Sequence, residues 1–268
     1  YNIEFKSKSK AYLTAINAVK LYPAFDPEVT QYVAIIDNEA DITFATDENV
    51  NEISTEGSLT NKKVNKVTNK SNAIDTRTYT VYLHYSGDVI PNGEFNKWTD
   101  AKYNSARKPE KWEVPADKFE TFNTWASNMV CWGGDKYTRS GKEIYSDSDN
   151  AVYFKSVYQC AIAGAIPPIM SLTGLSVTPD VADGTTVGFS GSIQFRNSPD
   201  VATIRYKHLS MTHDEGEGAL FAFRFFDTDG KEYNCDYTTK DLDKDYKEYN
   251  HALSVSGLPI VGMNIAVN

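Results

Sequence analysis

Four tryptophans, Trp98, Trp112, Trp125 and Trp132, fall within the stretch from Pro91 to Trp132, and they are the residues whose type and spacing could do a definite chemistry. A pyranose presents one apolar C–H face and a rim of hydroxyls, so a site for it needs flat aromatic faces beside fixed polar groups. Trp112, Trp125, Trp132 and Tyr137 sit in polar, loop-like surroundings and read as stacking platforms. Gln194 and Arg196, on the outward side of an alternating segment, read as their hydrogen-bonding companions. The competing reading is burial. Tryptophan is highly buried on average, and Phe119, Phe122 and Trp125 also fit one face of a short helix, so for any single tryptophan the core carries the greater weight. Trp98 is assigned to the core, behind the strand expected over Asn92 to Trp98.

Bond cleavage needs more than platforms. Glycoside hydrolysis uses two carboxylates across a cleft, about 5 to 10 Å apart, one protonated and one charged. Glu94, Glu113, Asp117, Asp214, Glu215 and Glu217 are available, but their spacing selects no acid and no base, and acids on a Gly-containing turn are ordinarily solvated. A glycoside hydrolase therefore ranks below a non-catalytic binding protein. Metal ligation is weaker still. Asp241-x-Asp243-x-Asp245 has alternate acids, yet Tyr246 stands where a calcium loop turns on glycine, and His208 and His213 have no third partner nearby. No metal site and no cofactor is expected. No glycine-rich phosphate loop or nucleophile elbow occurs.

The composition narrows the partners. The chain of 268 residues has 27 basic and 36 acidic side chains, a net charge of -9, which repels a phosphate backbone; nucleic acid and anionic membranes are poor partners. Aromatic residues make up 13%, with 17 Tyr and 13 Phe, a bias toward pleated sheet. Cys131, Cys160 and Cys235 are odd in number and widely spaced, which is neither a disulfide framework nor a zinc site, and buried free thiols are the simpler reading. No membrane-spanning segment is present: the longest apolar run, Cys160 to Met170, is broken by Gly164 and Pro167-Pro168.

The elements that must position these residues are strands. Tyr32 to Ile36, Ile42 to Phe44 and Arg77 to Tyr85 read as strands of a small all-β unit, the last with Tyr79, Val81, Leu83 and Tyr85 on one face. Ala11 to Tyr22 fits a helix face as well as a strand, and Asn51 to Asp75 reads as a long turn or solvated hairpin. Ser86 to Pro91 marks a linker, which places one domain at 1-87 and the other at 88-268. In the second, the longest alternation runs from Thr186 to Arg196 and predicts a single strand buried on one face. Ala202 to Leu209, Ala219 to Phe226, Lys231 to Tyr237 and Ile260 to Val267 follow as strands, with a turn at Asp227 to Gly230. The expectation is an all-β chain: a small immunoglobulin-like sandwich followed by a larger antiparallel sandwich, a jelly roll first and an open Greek key second.

Two resemblances add to this. Leu13-Thr14-x-Ile16, Leu21 to Pro27, Thr30-x-Tyr32 and Thr78 to Leu83 resemble the cadherin-like or immunoglobulin-like spacer modules of bacterial surface proteins. Asn92-Gly93-Glu94-Phe95-x-x-Trp98 resembles the opening of many carbohydrate-binding jelly rolls, and the combination resembles the carbohydrate metabolism domain family of bacterial surface glycan-utilisation proteins. Asn96 departs from the acidic residue usual after the Phe. The resemblance implies a polysaccharide or oligosaccharide ligand, a protein partner in a surface complex, and an extracellular or outer-surface location with lipid anchoring through a segment preceding Tyr1. A structural calcium involving Glu94 is the one ion it would bring.

Overall fold

The computed structural model describes residues 8–59, 61–102, 107–114, 117, 144–146, 151–154, 157–158, 165–166, 169–178, 186–208, 218–240 and 243–268. Trp125, Trp132, Tyr137, Cys131, Cys160 and the acids Asp214, Glu215 and Glu217 lie outside the described residues. The chain is all-β, as its composition predicts, with a single 3-10 turn at Glu39–Asp41 among the described residues. Contacts divide it into two compact units. One runs to Val89 and takes in Phe195–Pro199 and Val255–Val261; the other comprises Ile90–Gln194, Asp200–Ser254 and Gly262–Asn268. The chain therefore passes between the units more than once.

The first unit is built from β1 (Leu13–Asn17), β2 (Lys20–Tyr22), β3 (Gln31–Ile36), β4 (Thr43–Thr46), β5 (Asn51–Leu59), β6 (Lys62–Asn69) and β7 (Asn72–Tyr85). β1 pairs with β4, and the other five form a sheet in the order β2-β3-β7-β6-β5, antiparallel except for the parallel β3–β7 pair. Alternation sets its inner face: Tyr79, Val81, Leu83 and Tyr85 of β7 are buried with Tyr32, Ala34 and Ile36 of β3 and Leu13 and Ile16 of β1. The buried tyrosines keep their hydroxyls satisfied: Tyr79 donates to the Pro27 carbonyl at 2.6 Å and accepts from the Leu13 amide at 3.3 Å.

The ambiguous stretch Ala11 to Tyr22 is thus two strands, and the polar stretch after Asn51 is a strand hairpin rather than a loop. Its inner positions include Asn65 and Asn69, both buried. The Asn69 side chain accepts from the Ser71 amide at 2.9 Å and donates to Asp75 at 3.2 Å, so polar residues fill inward positions that an apolar pattern cannot reveal.

Two later segments complete this unit. The Asn197 side chain pairs with the Tyr85 backbone in both directions, accepting its N–H at 2.9 Å and donating to its carbonyl at 3.0 Å. Arg196 donates to Asp88 through its backbone N–H at 2.6 Å, Nε at 3.0 Å and a terminal nitrogen at 2.8 Å, while its guanidinium lies 3.7 Å from the centre of the Tyr85 ring.

The hub of the second unit is the strand Ile260–Val267, whose residues from Gly262 onward belong to that unit. It pairs antiparallel with Met170–Ser171 and Ile193–Gln194 and lies beside Ala219–Asp227, which in turn carries Glu232–Asn234 and Tyr237–Thr239. Nearly every side chain of this hub is buried, on both faces. Fully buried Asn264 is the exception in chemistry: its amide nitrogen donates to the carbonyls of Thr173 at 3.0 Å, Gly191 at 3.2 Å and Ser190 at 3.4 Å.

Those bonds explain why the alternation from Thr186 to Arg196 is not one strand. It is two, Thr186–Phe189 and Ile193–Gln194, interrupted where Gly191 takes φ 77° and the freed carbonyls turn to Asn264. Gly174 fits the same crossing: at φ 67°, a Cβ there would stand 1.6 Å from the Ser190 carbonyl oxygen. The strand expected over Asn92 to Trp98 is also absent. Asn92 and Phe95 adopt φ of 49° and 51°, and the Asn92 amide ties the turn by donating to the carbonyls of Lys97 at 2.8 Å and Glu110 at 3.1 Å. The first strand there is only Trp98–Asp100, and Trp98 is half-buried rather than core.

Candidate aromatic binding site

A seam of rings lies between two sheets of the second unit. Val201–His208 pairs antiparallel with Asp243–Ala252, placing Ala202 opposite His251, Ile204 opposite Tyr249 and Tyr206 opposite Lys247 on one face. Across from them Ala219–Asp227 contributes Phe221 and Phe223, and Tyr237 stands opposite Phe221. The rings meet in sequence: Tyr237 lies 4.3 Å from Tyr249 at 15° between planes, 6.0 Å from Phe221 at 25°, and 5.5 Å from His251. Phe223 closes the inner end at 7% exposure, whereas Tyr249 at the outer end is 41% exposed. Tyr206, Phe221, Tyr237 and His251 are half-buried between them.

Polar groups line the same seam. The hydroxyls of Tyr206 and Tyr237 share a hydrogen bond of 3.0 Å, and Thr239 Oγ1 lies 3.4 Å from the former. Desolvation, reinforced by the bond to Tyr206, pushes the Tyr237 phenol above its ordinary value, so it stays a neutral donor and acceptor at neutral pH. His251 Nε2 is 3.2 Å from the Cys235 carbonyl oxygen, which can only accept, so Nε2 is the donor of this bond. Stacked rings with hydroxyl and imidazole groups at their rim are what an apolar-faced, hydroxyl-rimmed ligand requires.

This cluster was not among the residues singled out from sequence. The strand Asp243–Ala252 is rich in Asp, Lys, Glu and Asn, and its sheet is recognisable only from the alternation Lys247, Tyr249, His251 set against Ile204 and Tyr206.

The expected site residues are placed differently. Trp112 is buried at 2% exposure, its indole N–H donating to the Pro91 carbonyl at 3.0 Å and its ring 5.5 Å from Phe95, so it packs the turn at Asn92 and presents no free face. Gln194 is exposed, on a two-residue strand. Arg196 is not outward: Asp88 and the Tyr85 ring hold its guanidinium, and the ion pair raises its already high pKa. Gln194 and Arg196 fall in different units.

Two of the candidate acids hold backbone. Glu113 accepts from the Leu175 amide at 2.8 Å; Asp117 accepts from the amides of Lys102 and Val114, each at 3.0 Å, and from Lys108 at 2.5 Å. Glu94 is exposed beside Asn96. Among the described residues no group of three His, Cys, Asp or Glu side chains is placed to hold a metal ion. Cys235 is a buried free thiol, 3.4 Å from the Ser254 hydroxyl. No helix among the described residues is long and apolar enough to cross a membrane.

No protein-family model and no curated protein matches the chain. Among solved structures, one from work on the promiscuous specificity of carbohydrate-binding modules of the β-sandwich superfamily is 9% identical, covering 86% of this chain and 71% of that one at a TM-score of 0.24. Another, CBM51-2 in complex with GlcNAc and INT domains from Clostridium perfringens ZmpB, is 11% identical, covering 88% of this chain and 42% of that one at a TM-score of 0.19. At such TM-scores neither likeness assigns a fold or a ligand, and the chain is characterised by its own all-β architecture and the aromatic seam.

Proposed function

We propose that the second unit is a non-catalytic glycan-binding module and that the outer end of the aromatic seam is its site. The observation that carries this is Tyr249, a large ring 41% exposed yet held in plane by Tyr237 at 4.3 Å. An exposed aromatic is usually mobile; one braced against a second ring presents a fixed face, which lowers the entropy lost when a sugar stacks on it. The hydroxyls of Tyr206 and Tyr237 and the imidazole of His251 supply the hydrogen bonds at the rim.

Recognition without hydrolysis is the reading adopted, because Glu113 and Asp117 are occupied by backbone amides. Trp125, Trp132 and Tyr137 belong to the same proposal as additional stacking residues, as do a spacer role for the first unit, an outer-surface location with lipid anchoring and a protein partner there. Calorimetry against a panel of soluble neutral oligosaccharides tests the central statement. Binding lost on Tyr249→Ala supports it, and silence across the panel refutes it.

A further inference from the structure

The outer face of the five-stranded sheet in the first unit carries a row of exposed side chains that the core does not use. Reading across the strands, the register places Tyr22 of β2 opposite Val33 of β3, Val33 beside Tyr82 of β7, Tyr82 opposite Lys62 of β6, and Lys62 opposite Leu59 of β5. Tyr22, Val33, Tyr82 and Leu59 are 54%, 43%, 42% and 40% exposed, four of the most exposed large apolar side chains described, brought into one line from four strands. The flanking rows are Lys20, Ile35 and His84 on one side and Gln31, Thr80, Val64 and Gly57 on the other. These three rows contain no acidic residue, and neither Lys20 nor Lys62 has an ion-pair partner among the described residues. In a chain of net charge -9, this is a locally basic, aromatic face.

We propose that this face binds a linear acidic polysaccharide, one whose sugars carry carboxylates. Two features select that ligand. Tyr22 and Tyr82 are two strands apart, hence about 9.5 Å, which matches the interval between alternate residues of an extended pyranose chain running across the strands. Lys62 is the immediate cross-strand neighbour of Tyr82, and Lys20 lies two residues from Tyr22, so each ring has an ammonium group within side-chain reach for the carboxylate of a sugar stacked on it. At about 0.1 M salt the Debye length is about 10 Å, so the ligand senses these local cations rather than the net negative charge of the whole chain. The inference stands on the first unit alone and does not depend on the seam at Tyr249.

The test is calorimetry on the full chain with hexamers of mannuronate and of galacturonate, each beside its carboxyl-reduced counterpart. The acidic oligomers are expected to bind, and their reduced forms to bind roughly tenfold or more weakly. Tyr82→Ala is expected to weaken binding of the acidic oligomer roughly tenfold, and Lys62→Ala roughly threefold with a flatter salt dependence. Both sites are on the outer face, and unchanged thermal unfolding verifies that the variants fold. Tyr249→Ala leaves this affinity unchanged, which separates the two surfaces. Equal binding of acidic and reduced oligomers, silence toward both acidic oligomers, indifference to Tyr82→Ala, or light scattering showing that the face instead joins two copies of the chain overturns the proposal.

Discussion

Removing the Asp88 carboxylate is the sharpest probe of how the first unit is closed. Asp88 accepts three hydrogen bonds from Arg196, one from the backbone and two from the guanidinium, and the two side chains are only 7% and 20% exposed. Asp88→Ala leaves a largely buried guanidinium uncompensated and an N–H without its acceptor. Breaking a buried pair from one side costs about 3–5 kcal/mol, and the Tyr85 ring still faces the cation, so the lower end, about 3 kcal/mol, is the expected loss. For a unit of about 100 residues, at about 4–8 °C per kcal/mol, the midpoint falls by roughly 12–24 °C. Scanning calorimetry measures that shift, and hydrogen exchange along β7 assigns it to the first unit. The double variant Asp88→Ala/Arg196→Ala is expected to be less destabilised than the sum of the single changes, because each single change already breaks the pair. A loss within about 0.5 kcal/mol, the range of an ordinary surface substitution, would refute the reasoning and return Arg196 to the outward, ligand-facing role expected from sequence.

Three further outcomes follow from the geometry. Gly174→Ala forces a Cβ to 1.6 Å from the Ser190 carbonyl at a left-handed φ, so the backbone crossing at Asn264 must open, and the variant should unfold at clearly lower denaturant concentration. Burial, with help from Glu39 and against Arg196, pushes the Tyr85 phenol up to about 12. Its folded value is raised, so its stabilising contribution is complete below the ordinary phenol value and lost as pH rises from there toward the raised one; Tyr85→Phe should flatten stability between about pH 10 and 12. Asp227 is the opposite case: desolvation works to raise its carboxyl, but hydrogen bonds from the Lys231 amide, the Tyr233 hydroxyl and the Asp229 amide hold it below the usual range. That contribution is present above the unfolded value and lost as pH falls through the lowered one, so Asp227→Asn should reduce the acid sensitivity of unfolding below about pH 4.

The fold class was legible because alternation and aromatic content depend on local pattern. β7 shows it best, with Tyr79, Val81, Leu83 and Tyr85 buried as their spacing implies. What was illegible depends on contacts between residues far apart in sequence. The segment from Thr186 to Arg196 alternates cleanly, yet Asn264 draws off the carbonyls of Ser190 and Gly191 and breaks it. β5, β6 and Asp243–Ala252 are strands made mostly of polar residues, held by pairing on partners that sequence does not name. The seam itself joins Tyr206, Phe221, Tyr237, Tyr249 and His251 from four strands, none of which is conspicuous alone. Trp112 drew attention by its size, which is the property that buries it against Phe95.

The central claim is that a braced, exposed Tyr249 is the face on which a sugar stacks. Calorimetric titration of the wild-type chain and of Tyr249→Ala with one neutral oligosaccharide that binds the wild type tests it most directly. Loss of a stacking face worth roughly 1–2 kcal/mol predicts an affinity about 5–30-fold weaker in the variant, which still unfolds cooperatively. Equal affinity in the two proteins would contradict the account.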